Sequence, residues 1–167
     1  IVFVYTLFVE ANNEEQILKK LGKQKDVTLF TPEDPEPVII GERPLAHRPI
    51  VMGFGPAGMM AAFYLAREGY RPIVLERGQD VDTRAKDVET FWKTGSFKPE
   101  SNVQFGEGGA GTFSDGKLTT RVTHPRLYEI SKYFVEFGAP EEILYKHKPH
   151  VGTDKLRNMV KAMRERI

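Results

Sequence analysis

Hydrophobic positions along the chain fall into alternating, continuous and helical patterns, and each predicts a different element. Residues Val2 to Glu10 alternate weakly and are rich in Val, Phe and Tyr, which predicts a strand. The stretch NNEEQILKKLG predicts a short helix, with Asn12 or Asn13 as its cap, Glu14 and Glu15 at its positive end, Lys19 and Lys20 at its negative end and Gly22 as its stop. DVTLFT, from Asp26 to Thr31, predicts a second strand. A β-α-β piece of this size cannot bury a sheet alone, so residues 1–31 are expected to be part of a small α+β domain. Residues 32–48 lie in a stretch, Thr31 to Pro49, that is dense in proline; it denies both helix and central strand and is expected to be a linker.

From Pro49 the pattern sharpens. PIVM and PIVLE (Pro72 to Glu76) are short continuous apolar runs, as expected of buried parallel strands. Between them a glycine turn feeds a helix whose apolar residues Ala57, Met60, Ala61, Tyr64 and Leu65 share one face, with Gly69 as the stop. This is a β-α-β unit with a right-handed crossover. Three more helices are predicted. Asp82–Thr94 places Ala85, Val88 and Trp92 on one face, with Trp92 expected in the core. Pro125–Phe137 is bounded by Pro125 and Gly138, and Asp154–Ile167 carries Leu156, Met159, Val160, Met163 and Ile167 at helical spacing.

Composition narrows the functions. The 167 residues carry 24 Lys+Arg against 23 Asp+Glu, so charge gives no reason to expect nucleic acid or an anionic membrane as partner. The longest apolar runs, such as GMMAAFYLA, are too short to span a bilayer. Without cysteine the chain has no disulfide or thiolate metal site, which fits a cytoplasmic protein. IVFVYTLFVE lacks the basic head and cleavage site of a signal peptide. A first residue that is not Met, and an apolar stripe running into Ile167, suggest a piece of a longer protein.

The chemistry sits in two glycine-rich stretches. Gly53-Phe54-Gly55-Pro56-Ala57-Gly58 fits G-x-G-x-x-G, follows a predicted strand and opens a predicted helix, and Glu76 ends the next strand. In a dinucleotide site Gly53 makes the tight turn, Gly55 lets a pyrophosphate approach the backbone, Gly58 lets helix and strand pack closely, and Pro56 is tolerated in the first turn. Ala62 keeps the helix near the sheet. Glu76 suits the hydroxyls of a ribose and repels a 2′-phosphate, which argues against NADP on this turn. The turn alone does not separate NAD from FAD.

The second stretch is FGEGGAGTFSDGK, Phe105 to Lys117. The N–H groups of Gly106, Gly108, Gly109, Gly111 and Gly116 suit a second bare surface for an anion, with hydroxyls from Thr112 and Ser114 and a cation at Lys117. Phe105 and Phe113 are expected to anchor it, and Asp115 and Lys117 to be solvated loop charges. His47, His124, His147 and His150 do not suggest a metal site: HKPH has H-x-x-H spacing, but Pro149 breaks the helix such a pair needs. No nucleophile–base pair and no G-x-S-x-G elbow is visible.

Taken together, VMGFGPAGMMAAFYLAREGYRPIVLERG, DVETFWKTG, ESNVQFGEGGAGTFSDGKLTTR and PHVGTDKLRNMV resemble the bacterial family of FAD-dependent, NAD(FAD)-utilising dehydrogenases, from about Pro44 to the C-terminus. The resemblance implies an α/β fold, with residues 49–167 as the N-terminal part of a Rossmann-like FAD/NAD(P)-binding domain and residues 1–31 as the end of the small domain before it. It implies FAD contacts at Gly53, Gly55, Pro56, Ala57, Gly58, Glu76, Arg77, Arg84, Gly109, Gly111 and Thr112. It further implies a parent flavin-dependent oxidoreductase, with NAD(P)H as candidate electron donor, whose late flavin motif and substrate domain are not in this segment. Phe54 departs from the family pattern, which has a small residue there, and is expected to crowd the phosphates. An NAD-dependent dehydrogenase using the first turn, and a non-catalytic dinucleotide-binding module, are the alternatives. Substrate, catalytic residues and oligomeric state are not legible.

Overall fold

The computed structural model describes every residue except Ile1, Lys23, Lys25, residues 32–34, Asp115, Thr119 and Arg121. The chain divides into two compact units, residues 1–36 and 37–167.

In the first unit the helix forms as α1, Glu14–Leu21, with both acidic residues in its first turn and both lysines in its last. The two predicted strands do not form: residues 2–10 and 26–31 carry no strand. Most of their apolar residues are exposed, and the ring pair Phe8–Phe30, 4.4 Å between centroids, joins the two segments. Strand propensity describes how a residue fits a packed, paired surface, and these segments have no ladder to fit.

The second unit is α/β. β1 (Ile50–Met52) and β2 (Ile73–Leu75) pair in parallel, Val51 opposite Val74, with α2 (Pro56–Arg67) as the crossover. Helices α3 (Val81–Thr94), α4 (Arg126–Glu136) and α5 (Thr153–Arg166) follow. Short 3-10 turns at Ala110–Phe113 and Glu141–Leu144 were not foreseen. Val51, Phe63, Phe137, Ile143, Met159 and Met163 belong to one buried cluster. Phe63 meets Tyr133 and Phe137 edge-on at 4.9 and 5.4 Å, which fixes α4 against α2.

Two helices turn a different face to the core from the one predicted. In α2 the buried residues are Met59, Ala62 and Phe63, while Ala57 and Ala61 are exposed. That helix is apolar almost all round, so periodicity does not choose a face. The choice falls to Gly58, where an added Cβ would lie 2.0 Å from the carbonyl oxygen of Gly53. In α3 the buried face is Val81, Arg84, Asp87 and Val88, and Trp92 is 65% exposed rather than in the core.

Candidate functional site

β1 runs directly into the first glycine turn. Gly53, at φ 86°, donates its N–H to the carbonyl of Leu75 at 2.7 Å, and so continues the sheet ladder for one more bond. Phe54 donates its N–H to Glu76 Oε2 at 2.7 Å, and its ring is buried. The expected crowding by Phe54 is therefore overturned: the ring belongs to the core. Gly55 caps α2, Pro56 occupies its first position, and Met59 N–H is the first to bond back, to the Gly55 carbonyl at 2.8 Å. The N–H groups of Ala57 and Gly58 meet no acceptor among the described residues, as a helix start leaves them.

The second glycine stretch folds back onto this turn. Gly108 donates its N–H to the Phe54 carbonyl at 2.8 Å. A Cβ on Gly109 would lie 3.3 Å from Pro56 Cδ and 3.4 Å from Gly55 Cα, so the two turns abut. Three polar side chains hold the second stretch and the segment leading into it. Arg84, wholly buried, donates to the carbonyls of Asn102, Val103, Gly106, Glu107 and Gly109 at 2.7–3.3 Å. Asn102 Oδ1 accepts the N–H groups of Gln104 and Phe105. Asp87 accepts from Lys98 at 2.5 Å and from Ser101 at 2.7 Å, and these bonds hold its carboxyl below the usual carboxylate range.

Glu76 ties the first turn to the segment after β2. Its Oε1 accepts the Gly78 N–H at 2.8 Å while Oε2 holds Phe54. An added Cβ at Gly78 would lie 2.4 Å from Gly106 Cα, so the segment after β2 and the second glycine stretch touch backbone to backbone. Beside Glu76 a cavity of about 290 Å³ is lined by Phe54, Asp80, Glu107 and Arg164. Glu107 is buried, accepts the Val81 N–H at 2.5 Å and faces Arg164 Nε at 3.3 Å. Burial pushes its carboxyl above the usual range, against the pull of the Val81 bond and the Arg164 charge.

The sequence-predicted site residues therefore separate into groups. Gly53, Gly55, Pro56, Ala57, Gly58, Gly109 and Gly111 belong to the two abutting turns, and Glu76 to the tie between the first of them and the segment after β2. Arg77 stands exposed beside them, its guanidinium 2.6 Å from Glu100 and 4.3 Å over the Phe105 ring. Arg84 and Thr112 do not face outward: both are wholly buried, and Thr112 Oγ1 meets no partner. Ser114 hydrogen-bonds within its own turn, Lys117 is exposed in an isolated bridge with His150, and Asp115 lies outside the described residues. All four histidines are exposed, and among the described residues no cluster of His, Asp and Glu is arranged to hold a metal. Asp87, Asn102, Glu107 and Gly78 were missed; the signal for Asp87 was its place one helical turn after Arg84, facing inward.

Two curated relatives match part of the chain. A Clostridium beijerinckii protein called "Uncharacterized protein" is 48% identical over 163 residues, 98% of this chain and 30% of that protein. A Bacillus subtilis protein called "NADH dehydrogenase" is 39% identical over 80 residues, 46% of this chain and 13% of that protein. The chain thus spans under a third of either relative's length. No family model matches it. The second match makes an oxidoreductase link, carried by a relative's name over less than half of the chain. Among the described residues no helix is long and apolar enough to cross a membrane.

Proposed function

We propose that residues 49–167 form the N-terminal part of a Rossmann-like domain that binds FAD through its diphosphate, in a parent flavin-dependent oxidoreductase akin to the FAD-dependent, NAD(FAD)-utilising dehydrogenases. One observation carries the reading. Gly55 and Gly111 are glycines that the fold itself does not require. Both have ordinary φ angles; an added Cβ at Gly55 would meet nothing closer than Gly109 Cα at 3.9 Å, and one at Gly111 nothing within 4 Å. At Gly111, inside a 3-10 turn, glycine costs about 0.5–1 kcal/mol of chain entropy relative to alanine with no internal return, whereas at Gly55 its place as the N-cap of α2 is itself a partial return. A ligand lying against the bare backbone supplies the missing reason.

The neighbourhood supports the same ligand. Unpartnered N–H groups at Ala57 and Gly58 suit an anion at a helix start. Glu76, held by two main-chain N–H groups, keeps lone pairs for ribose hydroxyls. Bound FAD supplies the electron-accepting isoalloxazine; this segment contributes binding and orientation. The relative named NADH dehydrogenase is consistent with NAD(P)H as electron donor, and substrate and catalytic residues belong to the parent.

The test uses Gly55→Ala and Gly111→Ala. Each is expected to keep thermal stability within about 1 kcal/mol of wild type, because neither meets a neighbour or a strained φ. Each is expected to weaken FAD at least about tenfold, by blocking backbone approach to the diphosphate. Mass spectrometry of the ligand released from denatured protein identifies the cofactor. Release of NAD in place of FAD moves the reading to a nicotinamide site on the first turn; full FAD affinity in both variants removes it.

A further inference from the structure

We infer that Arg84 is a positioning residue: it draws the carbonyls of the second glycine stretch to its guanidinium, so that the Gly108 N–H ties to the first turn and the Ala110 N–H is left free for the diphosphate. The inference rests on the dinucleotide reading above. It differs from a direct contact between Arg84 and the cofactor, because the side chain is wholly buried and its hydrogen bonds are all to main-chain carbonyls.

The geometry follows from the planarity of the peptide group. In a trans peptide the carbonyl of one residue and the N–H of the next point in opposite directions, and no cis peptide occurs among the described residues. Each carbonyl drawn to Arg84 therefore turns the following N–H away from it. The Val103 carbonyl, at 3.0 Å, sends Gln104 N–H to Asn102 Oδ1. The Gly106 carbonyl, at 3.3 Å, sends Glu107 N–H to the Gln79 carbonyl. The Glu107 carbonyl, at 2.7 Å, sends Gly108 N–H to the Phe54 carbonyl, which ties the two turns together. The Gly109 carbonyl, at 2.8 Å, turns Ala110 N–H outward, where it meets no acceptor among the described residues and Ala110 is exposed. One side chain thus makes both the tie and the free donor.

Charge adds to orientation. No carboxylate lies within ion-pair distance of Arg84 among the described residues; its guanidinium rests on the Phe113 ring at 4.7 Å, which also carries Arg157 at 4.8 Å. Five carbonyl dipoles offset the burial of the cation but leave its net charge in place. Burial lowers its pKa, while the charges of Glu76 and Glu107 nearby pull it the other way. A diphosphate at the turns would add to the negative charge those two carboxylates already supply.

The experiment measures ADP and adenosine binding to wild type, Arg84→Lys and Arg84→Met, with residue-resolved hydrogen exchange. ADP carries the diphosphate and adenosine lacks it. Arg84→Met is expected to lose ADP at least about tenfold while adenosine changes less than about twofold, with Arg84→Lys recovering part of the loss. Replacing a purely stabilising arginine would lower the melting temperature and leave the ADP-to-adenosine ratio of the folded protein unchanged; that result overturns the inference. If Arg84→Met does not fold, Gly106→Ala disturbs the same carbonyl cage without removing the charge, since the new methyl would lie 2.6 Å from Arg84 Cδ and the φ of 121° strains any side chain there. It is expected to show the same selective loss. Wild type alone also decides: the Ala110 amide should exchange freely without ligand and slow with ADP but not adenosine, and indifference to ADP overturns the inference. Wild type that binds neither FAD nor ADP removes the dinucleotide reading and this inference with it. Wild type that binds both, beside Arg84 variants of unchanged selectivity, removes this inference alone.

Discussion

Asp87 and Glu107 are both buried carboxylates packed around α3, yet their environments push them in opposite directions. Asp87 accepts two side-chain hydrogen bonds that favour its charged form; Glu107 pays mainly for desolvation. A carboxyl with a lowered folded pKa binds fewer protons folded than unfolded, so its contribution is present above the ordinary Asp pKa and fades as pH falls through the lower folded value. Asp87→Asn is accordingly expected to cost about 1–2 kcal/mol at pH 7. Urea melts repeated toward pH 3 should show the gap between variant and wild type closing; a gap that stays constant would place the effect in packing. The same carboxylate shows what a sequence conceals at this scale. Gly53, Gly55 and Gly58 were legible because their spacing is a motif with a mechanism. Asp87 was not, and Arg84 was named only through the family resemblance and not as buried, since periodicity assigns charged helix positions to solvent until the carbonyls and hydroxyls that meet them are known.

At the scale of elements the helices α1, α4 and α5 were readable nearly to their ends, because a proline or glycines bound them and, in α5, the apolar stripe is narrow; the expected cap bond from Asn13 to α1 does not form. Helix α3 was readable as a helix but not in its rotation. Its apolar residues Ala85, Val88 and Trp92 outvoted a face built on Val81, Arg84 and Val88, in which a cation occupies a core position. The difference has an optical consequence, since Trp92 is the single tryptophan of the chain. Its emission should lie at the red, water-exposed end of the tryptophan range and be quenched freely by iodide. Blue-shifted emission shielded from iodide would mean that α3 is rotated as its apolar pattern suggests, and the carbonyl cage of Arg84 would not exist. The first unit illustrates the reverse limit: strand-forming residues at 2–10 announce a preference that only a neighbouring strand can convert into a ladder.

At the scale of the whole molecule, the two turns, Glu76, Arg84 and the buried cluster all belong to residues 37–167. Among the described residues no buried apolar residue comes from residues 1–36, whose segment Val2 to Val9 is 70–90% exposed at most of its apolar positions. The β1–β2 pair is itself bare on one side, where Ile50, Met52, Ile73 and Leu75 are exposed, whereas parallel sheets are ordinarily covered on both faces. The ordering of the glycine turns therefore does not come from a complete sheet. It comes from the covered side: Gly58 against Gly53, Gly78 against Gly106, and Arg84 beneath the second stretch. If that local scaffold is sufficient, deleting residues 1–36 should leave the ADP-induced rise in melting temperature unchanged and the Gly55→Ala effect intact. Calorimetry on the shortened and full chains makes the comparison. Loss of the ADP response in the shortened chain, with its melting transition preserved, would show that the turns alone do not define the site.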